Sequence, residues 1–234
     1  MPQNRYYVPE SFAAGQHATL SGEEFHYCKN VMRSRVGEQV TLIDGQGKLG
    51  VAKIEAIDKE KAVLIVLEVH SEAYEEQRPY APVLIQALLK PAHLEFAIEK
   101  TVELGVGAIW LFPAARSEKK EVSESYRKRL ESIILSASKQ CGRLYFPTLI
   151  IHKSIKNCVD GKNVYFGDPT STTSLDQLQE AQASAVEAFI VGPEGGFTPD
   201  EVAFMKTKNA IGVRLHHNTL RAETAAIVAI AKLT

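Results

Sequence analysis

The sequence predicts an α/β protein in which a small β unit precedes a parallel sheet with helices on both faces. Residues 1–70 contain short β-favouring runs separated by tight turns. From residue 82 onward, continuous apolar segments alternate with helical patterns, an order typical of parallel sheets. Residues 71–79 are polar and end in a proline, which indicates a linker. We therefore expect one unit over residues 1–72 and a second over residues 73–234.

Composition is that of an ordinary globular protein. Of 234 residues, 45% are hydrophobic and 24% are charged. There are 27 Lys and Arg against 28 Asp and Glu, so the net charge is −1 and any RNA binding must come from local patches. No apolar run is long enough for a membrane helix, and no signal-peptide pattern is visible. Cys28, Cys141 and Cys158 form neither a metal motif nor an even disulfide set, which favours a cytoplasmic protein.

The first unit is predicted to be a small closed or nearly closed barrel. Its strands are expected at residues 6–8, 39–43, 48–57 and 62–69, with a turn at residues 44–47. A short helix is expected over residues 22–31. Ser21 is its predicted N-cap, and Glu24 occupies the capping-box position three residues later.

The second unit is predicted from its order of strands and helices. A buried strand at residues 83–89 leads into a helix that Pro91 opens and Gly105 ends, and a strand follows at residues 106–112. Such a strand, helix and strand form a right-handed parallel unit. Ser123 is the expected cap of a helix reaching residue 140. A strand at residues 164–166, a helix at 174–183 and a strand at 187–191 continue the alternation.

The loop at residues 192–197 is rich in glycine and leads directly into a helix. Gly195 and Gly196 permit positive φ and close backbone approach to a ligand. Thr198 is a predicted N-cap, and Glu201 can close a capping box with it. Taken alone, this loop is as well explained by a plain turn between strand and helix.

A second loop of the same kind follows the strand at residues 211–215. The helix beginning at Arg221 is apolar nearly all round, which predicts that it is buried. Two successive loops at one end of a sheet are where α/β proteins bind a ligand. The pair therefore predicts a binding site between residues 191 and 221.

These segments resemble a known family. GPEGGFTPDE at residues 192–201 and LRAETAAIVAI at 220–230 are similar to the C-terminal signature of the bacterial small-subunit ribosomal RNA uridine-N3 methyltransferases, members of the SPOUT superfamily. Further matching blocks occur in the expected order and span nearly the whole chain: Arg5, His26, residues 31–37, Lys90-Pro91, residues 99–106 and residues 138–143.

The resemblance implies a SPOUT-type knotted parallel sheet over residues 73–234, with a C-terminal trefoil knot, preceded by a PUA-like RNA-binding β-barrel over residues 1–72. It implies methylation of N3 of one uridine in small-subunit (16S) ribosomal RNA, with S-adenosyl-L-methionine as cofactor. The implied partners are the RNA, in an assembled or nearly assembled subunit, and a second copy of the chain in a homodimer. Neither a metal nor a membrane is expected.

The resemblance also implies which residues bind the cofactor. They are Val191, Gly192, Pro193, Gly195, Gly196, Leu215, His216 and Leu220. The chain departs from the family at residues 216–218, where His-His-Asn stands in place of Gly-Pro-Arg. Because histidine adds a side chain and restricts φ, the departure leaves the strength of cofactor binding open. Two adjacent histidines without a third ligand do not predict a metal site.

Methylation of uracil N3 requires a general base or a group that stabilises the developing anion. Arg221 can stabilise negative charge on the uracil oxygens, or form a salt bridge with Glu194 or Glu223. Glu194 can orient Arg221 or the cofactor's amino group, or it can interact with the helix dipole near Thr198. Arg116 lies in a segment that faces RNA in the family. The base itself stays open between a histidine and an ordered water.

Four arginines are expected to bind RNA: Arg5, Arg33, Arg35 and Arg143. A solvated charged face is the alternative, and Arg143 can instead cap the long helix. Two other functions stay open. The protein can be a nucleotide or phosphate binder that uses the glycine loop. It can also be a non-catalytic RNA-binding relative in which the changes at residues 216–218 have abolished cofactor binding. No Gly-Lys-Ser/Thr follows the glycine loop, which argues against a nucleoside triphosphatase.

Overall fold

The computed structural model describes residues 5–71, 81–159, 163–181 and 187–234, with the backbone alone for 179–181. The chain forms two compact units. The first comprises Met1–Pro79 and Ser138–Phe146, and the second comprises Tyr80–Ala137 and Pro147–Thr234. The predicted linker lies, apart from its first residue, outside the described residues, and the boundary between residues 72 and 73 stays a prediction.

The first unit is a five-stranded sheet. Its strands are β1 (Arg5–Tyr7), β2 (His17–Ser21), β3 (Gln39–Ile43), β4 (Lys48–Ile57) and β5 (Lys61–Ser71), in the order β1-β3-β4-β5-β2. Only the β1–β3 pair is parallel. The four predicted strands are confirmed, and β2 was not predicted. Its alternation of exposed and buried residues, with Ala18 and Leu20 inside, is nevertheless the period of a half-buried strand.

The predicted helix of residues 22–31 is two shorter pieces. Helix α1 (Gly22–His26) is followed by a π-helical segment, Tyr27–Val31. Ser21 makes no side-chain capping bond. Glu24 instead accepts hydrogen bonds from the backbone N–H of Tyr7 at 3.2 Å and from the ammonium of Lys139 at 2.7 Å. The predicted capping box is therefore wrong, because a largely buried ammonium takes the carboxylate that would have closed it.

Residues 138–146 belong to the first unit by their contacts. The guanidinium of Arg5 donates to the carbonyl of Lys139 at 3.1 Å and lies against Gly142. Gln46, in the turn between β3 and β4, forms an isolated bridge with Tyr145. The predicted turn at residues 44–47 is confirmed. The carboxylate of Asp44 accepts a hydrogen bond from the N–H of Gln46 at 2.7 Å, and Gly45 and Gly47 have positive φ.

The second unit contains a six-stranded, all-parallel sheet. Its strands are β6 (Val83–Ala87), β7 (Ala108–Phe112), β8 (Thr148–Ile151), β9 (Val164–Gly167), β10 (Ala188–Val191) and β11 (Ile211–Val213), in the order β11-β9-β10-β6-β7-β8. Strand β8 was not predicted, and it forms an edge of the sheet.

Helices cover both faces of this sheet. They are α2 (Pro91–Glu103), α3 (Glu124–Cys141), α4 (Leu175–Ala181), α5 (Pro199–Thr207) and α6 (Ala222–Leu233). Alternate strand residues point to opposite faces. Leu84 and Phe189 join a core with α2, α3, α4 and α6, whereas Ile85 and Ile190 join a second core with Met205 of α5. Burial on both faces explains the uninterrupted apolar strands.

The helix ends confirm the predicted capping residues. Pro91 opens α2, and Gly105, with φ of 105°, donates to the carbonyl of Val102 just beyond its end. The hydroxyl of Ser123 accepts from the N–H of Tyr126 at 3.2 Å at the start of α3. Helix α6 differs from expectation, because only one face is buried and two large residues, Ile227 and Val228, are half-buried.

Candidate active site

A pocket of about 640 Å³ lies at the carboxyl ends of β9, β10 and β11. These strands are neighbours in the sheet, so the loops that follow them meet at one edge. The volume is within the ~300–1,000 Å³ range of small-molecule sites. Seven of the eight predicted cofactor residues line it: Val191, Gly192, Pro193, Gly196, Leu215, His216 and Leu220.

The first loop is held in shape by local contacts. Gly196, with φ of 69°, donates to the carbonyl of Pro193 at 2.9 Å. Phe197 packs against Gly192, where a Cβ would come within 3.2 Å of its ring. Thr198 and Glu201 form the predicted capping box at the start of α5. The backbone of this loop is thus fixed on both sides of its glycines.

Gly195 and Arg116, both predicted site residues, lie behind the loop and outside the pocket lining. The guanidinium of Arg116 donates to the carbonyls of Gly195 at 3.0 Å and Phe197 at 3.3 Å. A Cβ on Gly195 would lie 3.2 Å from the Cβ of Arg116. In this geometry Arg116 positions the loop.

The second loop is stabilised by its histidines. The Nδ1 atom of His216 accepts a hydrogen bond from the backbone N–H of Asn218 at 3.1 Å. The rings of His216 and His217 stack with centroids 3.9 Å apart. The sequence departure at residues 216–218 therefore builds its own turn, with His216 on the pocket wall.

Arg221 lines the pocket at the N-cap position of α6, and its residue is exposed. Within the described parts of the chain it forms no ion pair with Glu194 or Glu223, so the salt-bridge alternative is not realised. Asp168, at the end of β9, and Arg214, after β11, also line the pocket. Sequence reasoning missed both, although Asp168 comes two residues after the strand predicted at residues 164–166 and Arg214 lies within the strand predicted at 211–215.

Glu194 lies at the N-terminus of α2 rather than that of α5. Its Oε1 accepts from the backbone N–H of Lys90 at 3.0 Å and lies 3.3 Å from Nδ1 of His93. Burial acts to raise the pKa of Glu194, but hydrogen bonds from the Lys90 N–H, its own N–H and His93 outweigh it and hold the pKa below its ordinary value. The carboxylate is therefore ionised at neutral pH.

Glu223 and His93 complete this side of the pocket. Glu223 is 8% exposed and belongs to the first turn of α6. Its Oε2 has no hydrogen-bond partner among the described residues and lies 3.9 Å from Nδ1 of His93. His93 was not predicted as a site residue. The available signal was its place one turn into a helix that begins just beyond a strand of the sheet.

The four predicted RNA-binding arginines all belong to the first unit. Arg33, with φ of 54°, and Arg35 are exposed. Arg143 is 8% exposed and donates through Nε to the carbonyl of Tyr145 at 3.1 Å. The guanidinium of Arg5 donates a hydrogen bond to the carbonyl of Lys139. Their role in RNA binding stays a prediction.

No described group of three or more His, Cys, Asp or Glu is arranged to hold a metal ion. Among the described helices, none combines the length and the apolar character needed to cross a membrane.

Fold and pocket together define the class of the protein. Residues 76–234 match the family model described as RNA methyltransferase domain, and residues 20–67 match the one described as RNA methyltransferase PUA domain. The chain is thus an RNA methyltransferase by class. The fold class expected from the sequence, a parallel SPOUT-type sheet preceded by a PUA-like unit, is confirmed. The position of the knot within residues 73–234 stays a prediction.

Several relatives of this chain carry the name ribosomal RNA small subunit methyltransferase E. Ribosomal RNA small subunit methyltransferase E of Mycobacterium bovis is 31% identical over 237 residues, covering 96% of this chain and 88% of the relative. The chain belongs to the ribosomal RNA small subunit methyltransferase E family, as the resemblance predicted. The Neisseria gonorrhoeae member, solved bound to S-adenosyl methionine, has a TM-score of 0.86 and 29% identity, covering 98% and 96% of the two chains. A Legionella pneumophila protein solved with bound SAM has a TM-score of 0.89 and 30% identity, covering 100% and 97%.

Proposed function

We propose that this chain transfers a methyl group from S-adenosylmethionine to N3 of a specific uridine in small-subunit (16S) ribosomal RNA. One observation carries the proposal. The two signature loops, after β10 and β11, line a single pocket of about 640 Å³. Relatives of known name are ribosomal RNA methyltransferases, and two solved structures of similar fold hold the same cofactor.

The pocket residues fit this cofactor chemically. Apolar side chains such as Phe166, Val213 and Leu220 offer a surface for an adenine ring. The carboxylates of Glu194 and Glu223 suit a ligand that carries a positive sulfonium and a positive amino group. The glycines of the first loop allow the backbone to approach the ligand closely. The eight residues predicted from the sequence therefore remain the proposed cofactor set. Seven of them line the pocket, and Gly195 belongs to the same loop but lies outside the pocket lining.

When bound, S-adenosylmethionine supplies an already activated methyl group, so the protein contributes positioning and electrostatics. Arg221 is exposed on the pocket wall, where its charge can stabilise the uracil oxygens as N3 loses its proton. Glu194 is fixed by the N–H of Lys90 and orients the side chains beside it. Arg116 contributes by holding the first loop in place.

RNA binding is proposed for the first unit. Arg33 and Arg35 can contact RNA phosphates because both residues are exposed. The buried Arg143 and the engaged Arg5 would need to give up internal hydrogen bonds to do the same. We place the protein in the cytoplasm as a homodimer, acting on an assembled or nearly assembled small subunit.

Calorimetry with S-adenosylmethionine tests the proposal first. We expect a dissociation constant near micromolar, about −8 kcal/mol. Methyl transfer to small subunits from a strain lacking the gene, read by mass spectrometry of 16S RNA fragments, tests the target. Binding of another nucleotide without S-adenosylmethionine would support the nucleotide-binding alternative. RNA binding with neither ligand would support a non-catalytic relative.

A further inference from the structure

The proposed reaction requires a base, and the pocket contains two described histidines, His93 and His216. N3 of uracil carries a proton that must leave as the nitrogen attacks the methyl carbon. A neutral imidazole accepts a proton only through the ring nitrogen that does not already carry one. Hydrogen bonds to the other nitrogen decide which nitrogen that is.

The two histidines have opposite hydrogen-bond patterns at Nδ1. In His216, Nδ1 faces a backbone N–H of Asn218 at 3.1 Å, which can only donate. Nδ1 of neutral His216 is therefore the acceptor, and its Nε2 carries the proton. In His93, Nδ1 faces Oε1 of Glu194 at 3.3 Å, an ionised carboxylate that can only accept. Nδ1 of His93 therefore carries the proton, and its Nε2 lone pair is available.

Two carboxylates lie beside Nδ1 of His93. Glu194 lies on one side, and the buried Oε2 of Glu223, without a hydrogen-bond partner among the described residues, lies 3.9 Å from Nδ1. Both carboxylates can therefore hold the ring in position through Nδ1, which leaves Nε2 for the proton transfer.

Other charged and titratable groups of the described residues share this region, among them Asp168, Arg214 and His216 of the pocket lining. The ammonium of Lys90, one turn earlier, is paired with Glu118 at 3.1 Å. The hydroxyl of Tyr126, from α3, donates to the carbonyl of Pro91 at 3.3 Å. Arg221 shares the pocket wall. The side chain of His93 is 38% exposed and reaches the pocket, as a base must.

We infer that His93 is the general base of the proposed methyl transfer, with Glu194 and Glu223 as positioning residues. The N3–H bond breaks as its proton moves to Nε2 of His93. The electron pair of N3 forms the new bond to the methyl carbon, and the pair of the broken carbon–sulfur bond stays on sulfur. The imidazolium then releases its proton to solvent. This inference rests on the proposed function, which leaves the base unassigned.

The first test needs no ligand. Nitrogen-15 NMR of histidine-labelled protein distinguishes the two neutral tautomers, with signals assigned through the variants His93→Gln and His216→Gln. We expect His93 to carry its proton on Nδ1 and His216 on Nε2. A proton on Nε2 of neutral His93 would overturn the inference, whatever the protein's activity.

The second test compares the single-turnover rate with cofactor affinity. In His93→Gln we expect the rate to fall by about 10²–10⁴-fold, with affinity for S-adenosylmethionine within about threefold of wild type. The acidic limb of the rate profile should disappear, and added imidazole should restore part of the rate in His93→Ala. The matched control is His17→Gln, because His17 also pairs with a carboxylate, Glu55 at 2.9 Å, but belongs to the first unit. It should leave rate and affinity unchanged.

The outcomes separate the two proposals. A His93→Gln enzyme that keeps its rate within about threefold, or whose loss is matched by lost cofactor affinity, overturns the assignment of the base. A wild-type protein that neither binds S-adenosylmethionine nor methylates RNA overturns the proposed function instead.

Discussion

At the residue scale, the pKa of Glu194 is lowered by hydrogen bonds from residues that are far away in the sequence. Its nearest donors are Lys90 and His93, about a hundred positions away in the sequence. The sequence left two roles open for Glu194: orienting Arg221 or the cofactor's amino group, or interacting with the helix dipole near Thr198. The parallel pairing of β6 and β10 instead brings it to the N-terminus of α2. Sequence patterns within one loop cannot predict that Glu194 meets Lys90 and His93, because this contact depends on the order of strands in the sheet.

The lowered pKa of Glu194 predicts a pH-dependent contribution to stability. A depressed folded-state pKa stabilises the protein above the ordinary value of 4.5 and loses that effect as pH falls through the lowered pKa. We expect Glu194→Gln to reduce the unfolding free energy at pH 7 and to have less effect as the pH falls below 4.5. Urea unfolding of wild type and variant at pH 7 and at a pH below 4.5 measures the difference in unfolding free energy. An equal effect at both would contradict it; the exposed Glu121→Gln is the control.

The three thiols should differ sharply in reactivity. Burial raises the pKa of Cys158 to about 12, and Cys28 is also buried, whereas Cys141 is exposed. Because the thiolate is the reactive form, native protein at pH 8 should show one fast thiol toward a disulfide reagent and three in urea. Replacing Cys141 with Ser should abolish the fast phase. Fast labelling that survives this substitution would show that a second thiol is accessible.

At the scale of elements, capping residues and apolar periodicity predicted most of the second unit. Pro91, Ser123 and Thr198 each begin a helix as expected, because these preferences act within one turn of chain. Strands β2 and β8 were missed, although β1 and β11 are shorter, also lie at sheet edges and were predicted. His93 was missed because its partners, Glu194 in the first loop and Glu223 in the first turn of α6, are far away in the sequence. Spacing alone cannot bring such residues together.

The cap of α5 couples a helix to the pocket. Thr198→Ala removes the capping box and should lower the unfolding free energy by about 1 kcal/mol. It should also weaken S-adenosylmethionine binding severalfold, because the first loop ends at this residue. Ser123→Ala, at the start of α3, is the matched control. Urea unfolding and calorimetry should show a similar stability loss there with unchanged affinity, and equal affinity in both variants would contradict the coupling.

At the scale of the whole molecule, a net charge of −1 means that RNA affinity must come from local patches of basic residues. Each phosphate contact adds about one to the slope of log affinity against log salt. We expect Arg33→Ala and Arg35→Ala each to reduce that slope by about 1, measured by filter binding to small-subunit RNA. Lys53→Ala, an exposed cation on β4, should leave it unchanged. Unaltered slopes in both arginine variants would contradict the proposed RNA surface.

The first unit is interrupted in sequence, since Ser138–Phe146 joins residues that end at Pro79. During synthesis, the ribosome must therefore add 146 − 79 = 67 further residues before this unit has all its parts. At ~5–20 residues per second that takes roughly 3–13 s. Until Lys139 and Tyr145 are added, Arg5, Glu24 and Gln46 lack the contacts that they make with these two residues. The nascent chain therefore cannot complete its N-terminal unit before residues 80–137 of the C-terminal unit have been synthesised.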